Sequence, residues 1–506
     1  MPHTNTNTHQ KVNSNTAMTP LETYFAYFRS GIVGIQQDFE SPHGQQKIIY
    51  ADWTASGRLY QPIEDKLLRE VGPYVANTHT QTTVTAAVMT LAYQQARQII
   101  KKHVNAAPGD VLITEGTGMT GVINKFQRLL GLKVNENLQK YTQVPEALRP
   151  LIFVSHMEHH SNHTSWLETI AHVVVIPANE EGLPCLESLE HWLKKYEHIL
   201  IKIAAITACS NVTGIRTNYH TIAGIMHKNG GLCFVDFACC APYTTIDMHP
   251  EKEEEHLDAI TFSPHKFLGG PGTAGVLIFN KKLYKNRVPD HPGGGTVSYT
   301  NPWGGRDYID DIESREDGGT PGFLQTIKTA LAIQLKEQMG VNKMLAREQE
   351  LNAIIFDRLS KIENLHILAK HNTERLGIFS FYMQDVHYDL IVKLLNDRFG
   401  IQTRGGCSCA GTYGHYLLNM DASLSKAIGE KIAEGCILNR PGWVRMSIHP
   451  TMTNAEVTFI CDAIATIAQH VDCWKRDYQY NPQKNEFSFQ GGFSTDKEII
   501  KNWFHL

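Results

Sequence analysis

Short apolar, β-branched runs alternate with amphipathic stretches along the first two thirds of the chain. Continuous apolar runs are typical of buried parallel strands, whereas helices carry apolar residues three or four positions apart. The alternation therefore predicts an α/β domain with a mostly parallel sheet. The predicted strands are 111–114, 151–155, 173–177, 203–207, 232–236, 259–262 and 275–279. The predicted helices include 23–30 before these strands, and 120–130, 186–196 and 220–228 between them.

The pattern changes after residue 287. Residues 287–319 are rich in Gly, Pro and Asp with little periodicity, so we predict a long loop system, which is usually functional. A long helical pattern over 324–361 follows, and Gly340 interrupts it. The later elements predict a smaller domain: strand 378–383, helix 388–398, loop 403–414, strand 443–448 and helix 454–471.

These elements predict four parts in the chain. A disordered tail covers residues 1–20 and is followed by a large domain, 21–325, which includes an N-terminal segment of the small domain. The small C-terminal domain, 326–475, carries an inserted loop at 413–441, and 476–506 form a C-terminal tail. A further insertion is predicted at 134–150.

Composition narrows the possible partners and the compartment. The 506 residues include 47 Lys plus Arg and 51 Asp plus Glu, a balance that argues against nucleic-acid binding. No uncharged apolar run approaches the roughly 18 residues that span a bilayer, so we expect no membrane partner. The ten cysteines are irregularly spaced, with an adjacent pair and a Cys-x-Cys, as expected of free thiols in the cytoplasm.

Lys266 lies in the most distinctive stretch of the sequence. It follows a predicted strand within Ser263-Pro-His-Lys266, and four glycines follow it by Gly275. Glycines permit tight turns and close backbone approach to a ligand, and a desolvated lysine suits Schiff-base chemistry. A solvated surface lysine is the alternative interpretation.

Asp236 ends another predicted strand, 232–236. Doubly wound sheets bind ligands at the carboxyl ends of their strands. Asp236 is therefore either a turn or helix-cap residue, or a carboxylate that pairs with a pyridinium nitrogen.

Together these stretches resemble the class V aminotransferase family of pyridoxal-phosphate enzymes, over residues 49–468. Within that family the chain is most similar to cysteine desulfurases and selenocysteine lyases. The resemblance implies the type I fold of these enzymes, with a large domain around a mostly parallel sheet and a smaller α+β C-terminal domain. It also implies a pyridoxal 5′-phosphate cofactor and a homodimer.

The resemblance assigns cofactor roles residue by residue. Lys266 matches the lysine that binds the cofactor covalently, Asp236 the acid on the pyridine nitrogen, and His159 the histidine that stacks on the ring and relays protons. Cys239 stands where desulfurases usually carry a glutamine near the ring oxygen. The remaining implied cofactor contacts are Gly118, Met119, Thr120, Asn211, Ser263, His265 and, towards the neighbouring subunit, Thr320.

The resemblance also implies the substrate and the nucleophile. Arg445 matches the arginine that clamps the substrate carboxylate, and Asn211 and Arg404 are further substrate-binding candidates. The stretch Thr403-Arg-Gly-Gly-Cys-Ser-Cys-Ala-Gly411 resembles the family loop Arg-x-Gly-x-x-Cys-Ala, which places the nucleophile at Cys409. Cys407 is an added thiol that resolves or relays a persulfide. The implied reaction converts cysteine or selenocysteine to alanine, and a protein would accept the sulfur.

Other chemistries remain open. The same cofactor residues would serve an epimerase, a kynureninase-like lyase or an aminotransferase, because the cofactor supplies the electron sink. A zinc enzyme is a further alternative, since imidazole and thiolate are good zinc ligands. The candidate ligands lack the H-E-x-x-H spacing, so we expect no metal; they are His156, His159, His160 and His163, and Cys407, Cys409 and His415.

Overall fold

The structure, a computed structural model, describes residues 18–78, 80–434 and 441–505. Most of residues 1–20 and part of the predicted insertion, 435–440, lie outside the described residues. The strands, in chain order, are β1 (Asp38–Ser41), β2 (Gly44–Lys47), β3 (Ile49–Tyr50), β4 (Asp110–Glu115), β5 (Leu151–Ser155), β6 (His172–Ile176), β7 (Lys202–Thr207), β8 (Leu232–Asp236), β9 (Ala259–Phe262), β10 (Gly275–Asn280), β11 (Val297–Thr300), β12 (Arg306–Tyr308), β13 (Leu365–Ile367), β14 (Ile378–Met383), β15 (Ile401–Gln402), β16 (Arg404–Gly406), β17 (Trp443–Ser447), β18 (Tyr478–Asn481) and β19 (Glu486–Phe489).

The α-helices flank and connect these strands. In chain order they are α1 (Pro20–Ser30), α2 (Gln61–Lys66), α3 (Val84–His103), α4 (Gly118–Leu129), α5 (Glu136–Gln139), α6 (His160–Leu167), α7 (Leu186–Lys195), α8 (Tyr219–Lys228), α9 (Ile312–Arg315), α10 (Phe323–Met339), α11 (Val341–Leu359), α12 (Tyr388–Phe399), α13 (Gly411–Leu417), α14 (Ala422–Ala433), α15 (Asn454–Trp474) and α16 (Asp496–Ile500).

The central sheet confirms the predicted α/β fold. Its strand order is β4-β10-β9-β8-β7-β5-β6, and β10 alone among these runs antiparallel to its neighbours. Each strand predicted for the first part of the chain is confirmed. All except the edge strand β6 are largely buried and therefore read as continuous apolar runs. The carboxyl ends of β7 and β8 lie side by side, with Thr207 opposite Asp236.

A second, antiparallel sheet has the order β13-β14-β17-β16. The predicted break at Gly340 is confirmed, since α10 ends at Met339 and Gly340 has a φ of 76°, which favours glycine. The arrangement agrees with a smaller unit that begins near residue 326, and this domain boundary remains a prediction.

The segment 49–58, which we call the strap, joins the two sheets. At one end β3 pairs with β15, and Ser447 on β17 donates its N–H to the Ala51 carbonyl. At the other end the Gly57 N–H donates to the carbonyl of His265, 2.9 Å away. A Cβ at Gly57 would lie 1.9 Å from the Phe267 carbonyl oxygen, so only glycine allows this approach.

Four regions differ from the prediction. Residues 287–319 are not all loop: they contain the hairpin β11-β12 and the short helix α9. These strands are short and largely exposed, so they carry no apolar run. The predicted loop 403–414 contains β16 and the start of α13. The sequence carries no strand signal for β16 because two of its three residues are glycine.

The predicted inserted loop 413–441 is largely helical where it is described. It contains most of α13, and α14 begins where Asp421 accepts a hydrogen bond from the Leu424 N–H. Such a cap satisfies an N–H group that the first helical turn leaves unpaired. Residues 476–506, predicted as a tail, contain the hairpin β18-β19, in which the buried Tyr478 hydroxyl donates to Asp397 at 3.0 Å.

Candidate active site

A cavity of about 480 Å³ lies at the carboxyl ends of β7 and β8, against the second sheet. Its volume is in the range of sites for small molecules. Thr320 is exposed and does not line it, and Gly118 adjoins the lining residue Met119. The sequence-predicted residues that line the cavity are Met119, Thr120, His159, Asn211, Asp236, Cys239, Ser263, His265, Lys266, Arg404, Cys407, Cys409 and Arg445.

Asp236 and Lys266 place opposite charges in the buried part of this cavity. Asp236 ends β8, and its Oδ1 accepts the Ala238 N–H at 2.8 Å. Burial raises the pKa of Asp236 to about 6, and the positive charge of Lys266 opposes the increase. Burial lowers the pKa of the Lys266 amine, which donates no hydrogen bond to the described residues.

The start of α4 forms a narrow cradle. The Met119 N–H donates to Ser263 Oγ at 2.9 Å, and Thr120 Oγ1 lies 2.6 Å from Ser161 Oγ. Gly118 has a φ of 64°, and a Cβ there would lie 2.8 Å from His265 Cε1. Hydroxyl groups and backbone N–H groups at a helix N-terminus together suit a phosphate.

His159 is held in one tautomer at the start of α6. Its Nδ1 accepts the Ser161 N–H at 3.1 Å, so the neutral ring carries its proton on Nε2. Burial lowers the pKa of His159 to about 3, and the charge of Lys266 adds to the effect. The imidazole is therefore neutral at physiological pH.

Two thiols share a carbonyl oxygen on the wall of the cavity. The Sγ atoms of Cys209 and Cys239 lie 3.7 and 3.6 Å from the Ser210 oxygen. The thiol of Cys209 hydrogen-bonds to Cys239 and lowers the pKa of Cys239, whereas burial raises the pKa of Cys209. The sequence singled out Cys239 but not its neighbour Cys209.

Arg445 and Arg404 share one carboxylate that sequence reasoning missed. Arg445 Nη2 lies 2.8 Å from Asp52 Oδ1, and Arg404 Nε donates to Asp52 Oδ2 at 3.0 Å. Arg445 Nη1 also donates to the Asn211 carbonyl at 3.3 Å. Asp52 follows the short strand β3. The sequence around it does not indicate that its partners lie more than 350 residues away in the chain.

The cysteine loop is held from both sides of the cavity. The side chain of Asn211 donates to the Ser408 carbonyl at 2.8 Å, and the His160 N–H donates to the Cys409 carbonyl at 2.7 Å. Ser408 and Cys409 have φ values of 52° and 56°, in the region that side chains other than glycine rarely adopt. Cys409 is exposed, whereas Cys407 is half-buried.

The zinc alternative finds no support at the residues that raised it. Among the described residues, the groups close enough to share a metal ion lie elsewhere: His227 with His256 and Asp258, and Glu115 with Asp290 and His291. His156 packs edge-on against the rings of Tyr413 and Tyr416 instead.

In the described parts of the chain, every helix is too short or too polar to cross a bilayer.

Comparison with known proteins gives a consistent result. The family profile described as Aminotransferase class-V matches residues 49–460. A probable cysteine desulfurase of Staphylococcus aureus is 28% identical over 371 residues, covering 72% of this chain and 84% of that protein. A probable cysteine desulfurase of Halalkalibacterium halodurans is also 28% identical, over 372 residues, with the same shares of the two chains.

Solved structures share the fold. An apo structure of cysteine desulfurase from Thermococcus onnurineus has a TM-score of 0.69 and 21% identity, covering 88% of this chain and 98% of that one. The cysteine desulfurase CsdA from Escherichia coli has a TM-score of 0.68 and 22% identity, with the same coverage. These matches confirm the type I fold.

The raised pKa of Asp236 predicts that this residue reduces stability at neutral pH. A carboxyl whose folded pKa lies above its unfolded value of 3.8 stabilises the fold below that value, and the contribution is lost as pH rises through about 6. In cofactor-free protein we therefore expect Asp236→Asn to be more stable than the wild type at pH 7.5, by up to about 3 kcal/mol. The difference should nearly vanish at pH 4, as measured by urea unfolding at both pH values. If the free energies of unfolding of Asp236→Asn and wild type differ by the same amount at both pH values, the burial of an ionised Asp236 is contradicted.

Proposed function

Because the chain belongs to the class V aminotransferase family of pyridoxal-phosphate enzymes, we propose that it converts L-cysteine or selenocysteine to alanine and passes the released sulfur or selenium to Cys409. One observation carries the proposal: the two-cysteine loop lines the same cavity as the half-buried Lys266. The desulfurase names of its relatives support the same reaction class.

The cavity fits pyridoxal 5′-phosphate. Asp236 offers a buried carboxylate to a pyridinium nitrogen, and Lys266 offers an amine that is not committed to a hydrogen bond with the described residues. The cradle at Gly118 and Met119, with Ser263, suits the phosphate, and a Cβ at Gly275 would lie 2.1 Å from the Gly118 oxygen. When bound, the cofactor supplies an electron sink that stabilises negative charge at the substrate α-carbon.

The side chains of the protein would hold the cofactor and move protons. A lowered pKa leaves more of the Lys266 amine unprotonated, as an attacking amine and as a base require. His159 would stack on the cofactor ring as a neutral imidazole. With its proton on Nε2, it is prepared to donate a proton or hydrogen bond rather than to accept one at that nitrogen.

Arg445 would bind the substrate carboxylate, with Arg404 and Asn211 beside it. The thiolate is the reactive form of cysteine. In the sulfur step, the thiolate of Cys409 attacks the substrate sulfur, forming an S–S bond while the C–S bond breaks. The β-carbon keeps the electron pair of that bond and takes up a proton, which gives alanine and a persulfide. Cys407, two residues away, would relay or resolve that persulfide.

The proposal includes an assembly and a location. We propose a homodimer in which the exposed Thr320 reaches the phosphate site of the neighbouring subunit, and a sulfur-acceptor protein that meets the exposed Cys409. The nine cysteines of the described residues are free thiols, in keeping with a cytoplasmic enzyme.

The cofactor assignment predicts a spectroscopic difference. Purified protein should be yellow, and Lys266→Ala should lose the visible absorbance of the lysine-bound cofactor, since no amine replaces the one removed. A visible spectrum of protein reconstituted with pyridoxal phosphate measures this. Lys328→Ala is a control for loss of a lysine, because Lys328 pairs with Glu64 outside the cavity, and it should keep the wild-type spectrum. An unchanged spectrum for Lys266→Ala would refute the cofactor role.

The sulfur step predicts different consequences for the two loop cysteines. With L-cysteine and a reductant, Cys409→Ser should release alanine and sulfide at least about 100-fold more slowly, because a hydroxyl replaces the attacking thiolate. Cys407→Ser serves as the matched control and should retain most of the alanine release. Parallel assays of alanine and sulfide measure both rates.

The opposite pattern would move the nucleophile to Cys407. Wild-type protein that releases no alanine from either cysteine or selenocysteine would favour another reaction of the same family.

A further inference from the structure

Two arginines stand directly opposite each other on neighbouring strands. Arg404 on β16 and Arg445 on β17 are paired across the antiparallel ladder. Like charges in this position repel each other and destabilise the pairing. The carboxylate of Asp52 lies between them, with Oδ1 2.8 Å from Arg445 Nη2 and Oδ2 3.0 Å from Arg404 Nη2. The three groups together therefore carry one net positive charge.

Asp52 is fixed in this position by its neighbours in the chain. Its backbone forms a bridge with Ser447, and the Thr54 N–H donates to Ser447 Oγ at 2.9 Å. Asp52 itself is only 8% exposed. The Asp52 carboxylate is therefore held between the two arginines by the backbone and is not a mobile surface group.

The contacts with Asp52 determine which arginine edges remain available. Arg404 uses both Nε and Nη2 on Oδ2 of Asp52. Arg445, in contrast, keeps a buried Nε with no hydrogen-bond partner among the described residues. A buried N–H without a partner is unfavourable, so Arg445 gains a hydrogen bond if its side chain turns to bring Nε to a ligand carboxylate.

We propose that Asp52 is a specificity-determining residue, which restricts the arginine pair to ligands that carry a single carboxylate. It leaves the pair with one net positive charge, which matches one carboxylate. A second carboxylate would meet Arg404 with its Nε and Nη2 already paired, and would meet the negative charge of Asp52. This inference rests on the proposed role of Arg445 as the group that binds the substrate carboxylate.

The test compares propionate with succinate, which differ by one carboxylate on the same short carbon chain. Their affinities for cofactor-loaded protein are measured by calorimetry at fixed ionic strength. Asp52→Asn should raise the affinity for succinate relative to propionate by at least about fivefold, because it removes the charge that neutralises one arginine. Asp389→Asn is the matched control: it also removes one negative charge from the cavity wall, but it leaves in place the carboxylate that contacts both arginines, so the ratio should change less.

A double variant tests the charge count directly. Asp52→Asn combined with Arg404→Gln again leaves one net positive charge, so the succinate-to-propionate ratio should return to within about twofold of wild type. A merely structural role of Asp52 would not produce this recovery. An unchanged ratio in folded Asp52→Asn, or no recovery in the double variant, overturns the proposal.

Two further variants, Arg404→Gln and Arg445→Gln, test the proposal even if Asp52→Asn does not fold. If melting curves reveal that Asp52→Asn does not fold, Arg404→Gln alone leaves no net charge and should weaken propionate binding at least about threefold; unchanged binding overturns the proposal.

Arg445→Gln separates the proposed role of Arg445 from that of Asp52. If it does not alter propionate binding, or if wild type binds neither probe, the proposed role of Arg445 fails and this inference fails with it. If Arg445→Gln abolishes propionate binding while Asp52→Asn leaves the ratio unchanged, only the role of Asp52 is overturned.

Discussion

The site depends on the carboxylate of Asp52 between Arg404 and Arg445. Arg445 is 3% exposed, and a buried charge without a counter-charge costs several kcal/mol. The ion pairs also connect separate parts of the chain, since Asp52 belongs to the strap whereas the arginines belong to the second sheet. Through its hydrogen bond to the Asn211 carbonyl, Arg445 also contacts the loop that follows β7 of the central sheet. The pairing of β16 with β17 is thus tied to the geometry of the cavity.

The strap extends this connection to the segment that carries Lys266. Its Gly57 N–H holds the carbonyl of His265, the residue before Lys266. The loop of Cys407 and Cys409 is joined to the opposite wall through Asn211 and His160. The amine and the thiols therefore occupy fixed positions around one cavity, and a reaction between the groups they hold requires such an arrangement.

Burial sets the charge state of the site. It lowers the pKa values of His159 and Lys266 and raises that of Asp236, in each case because the charged form loses its hydration. Perturbed groups of this kind cluster at functional sites, where an unfavourable environment in the free protein is relieved by the ligand. The opposite charges of Asp236 and Lys266 partly offset each other, and in the proposed function the cofactor would take both as partners.

The central strands and the cavity residues were predicted from different features of the sequence. Strands such as β7 and β8 are buried on both faces, so they appear as apolar runs, whereas the exposed hairpin β11-β12 carries no such signal. The site residues were predicted from the motifs around Lys266, Asp236 and Cys409. A local motif carries no information about contacts between distant residues. Asp52 was missed for this reason, since its partners are 352 and 393 residues away.

Persulfide formation on Cys409 is the most direct test of the account. Cofactor-loaded protein is mixed with one equivalent of L-cysteine, its thiols are trapped by alkylation, and the loop peptide is sequenced by mass spectrometry. We expect the peptide to gain the mass of one sulfur atom at Cys409 before any appears at Cys407. Alanine release with an unmodified Cys409, or sulfur that appears first on Cys407, would contradict it.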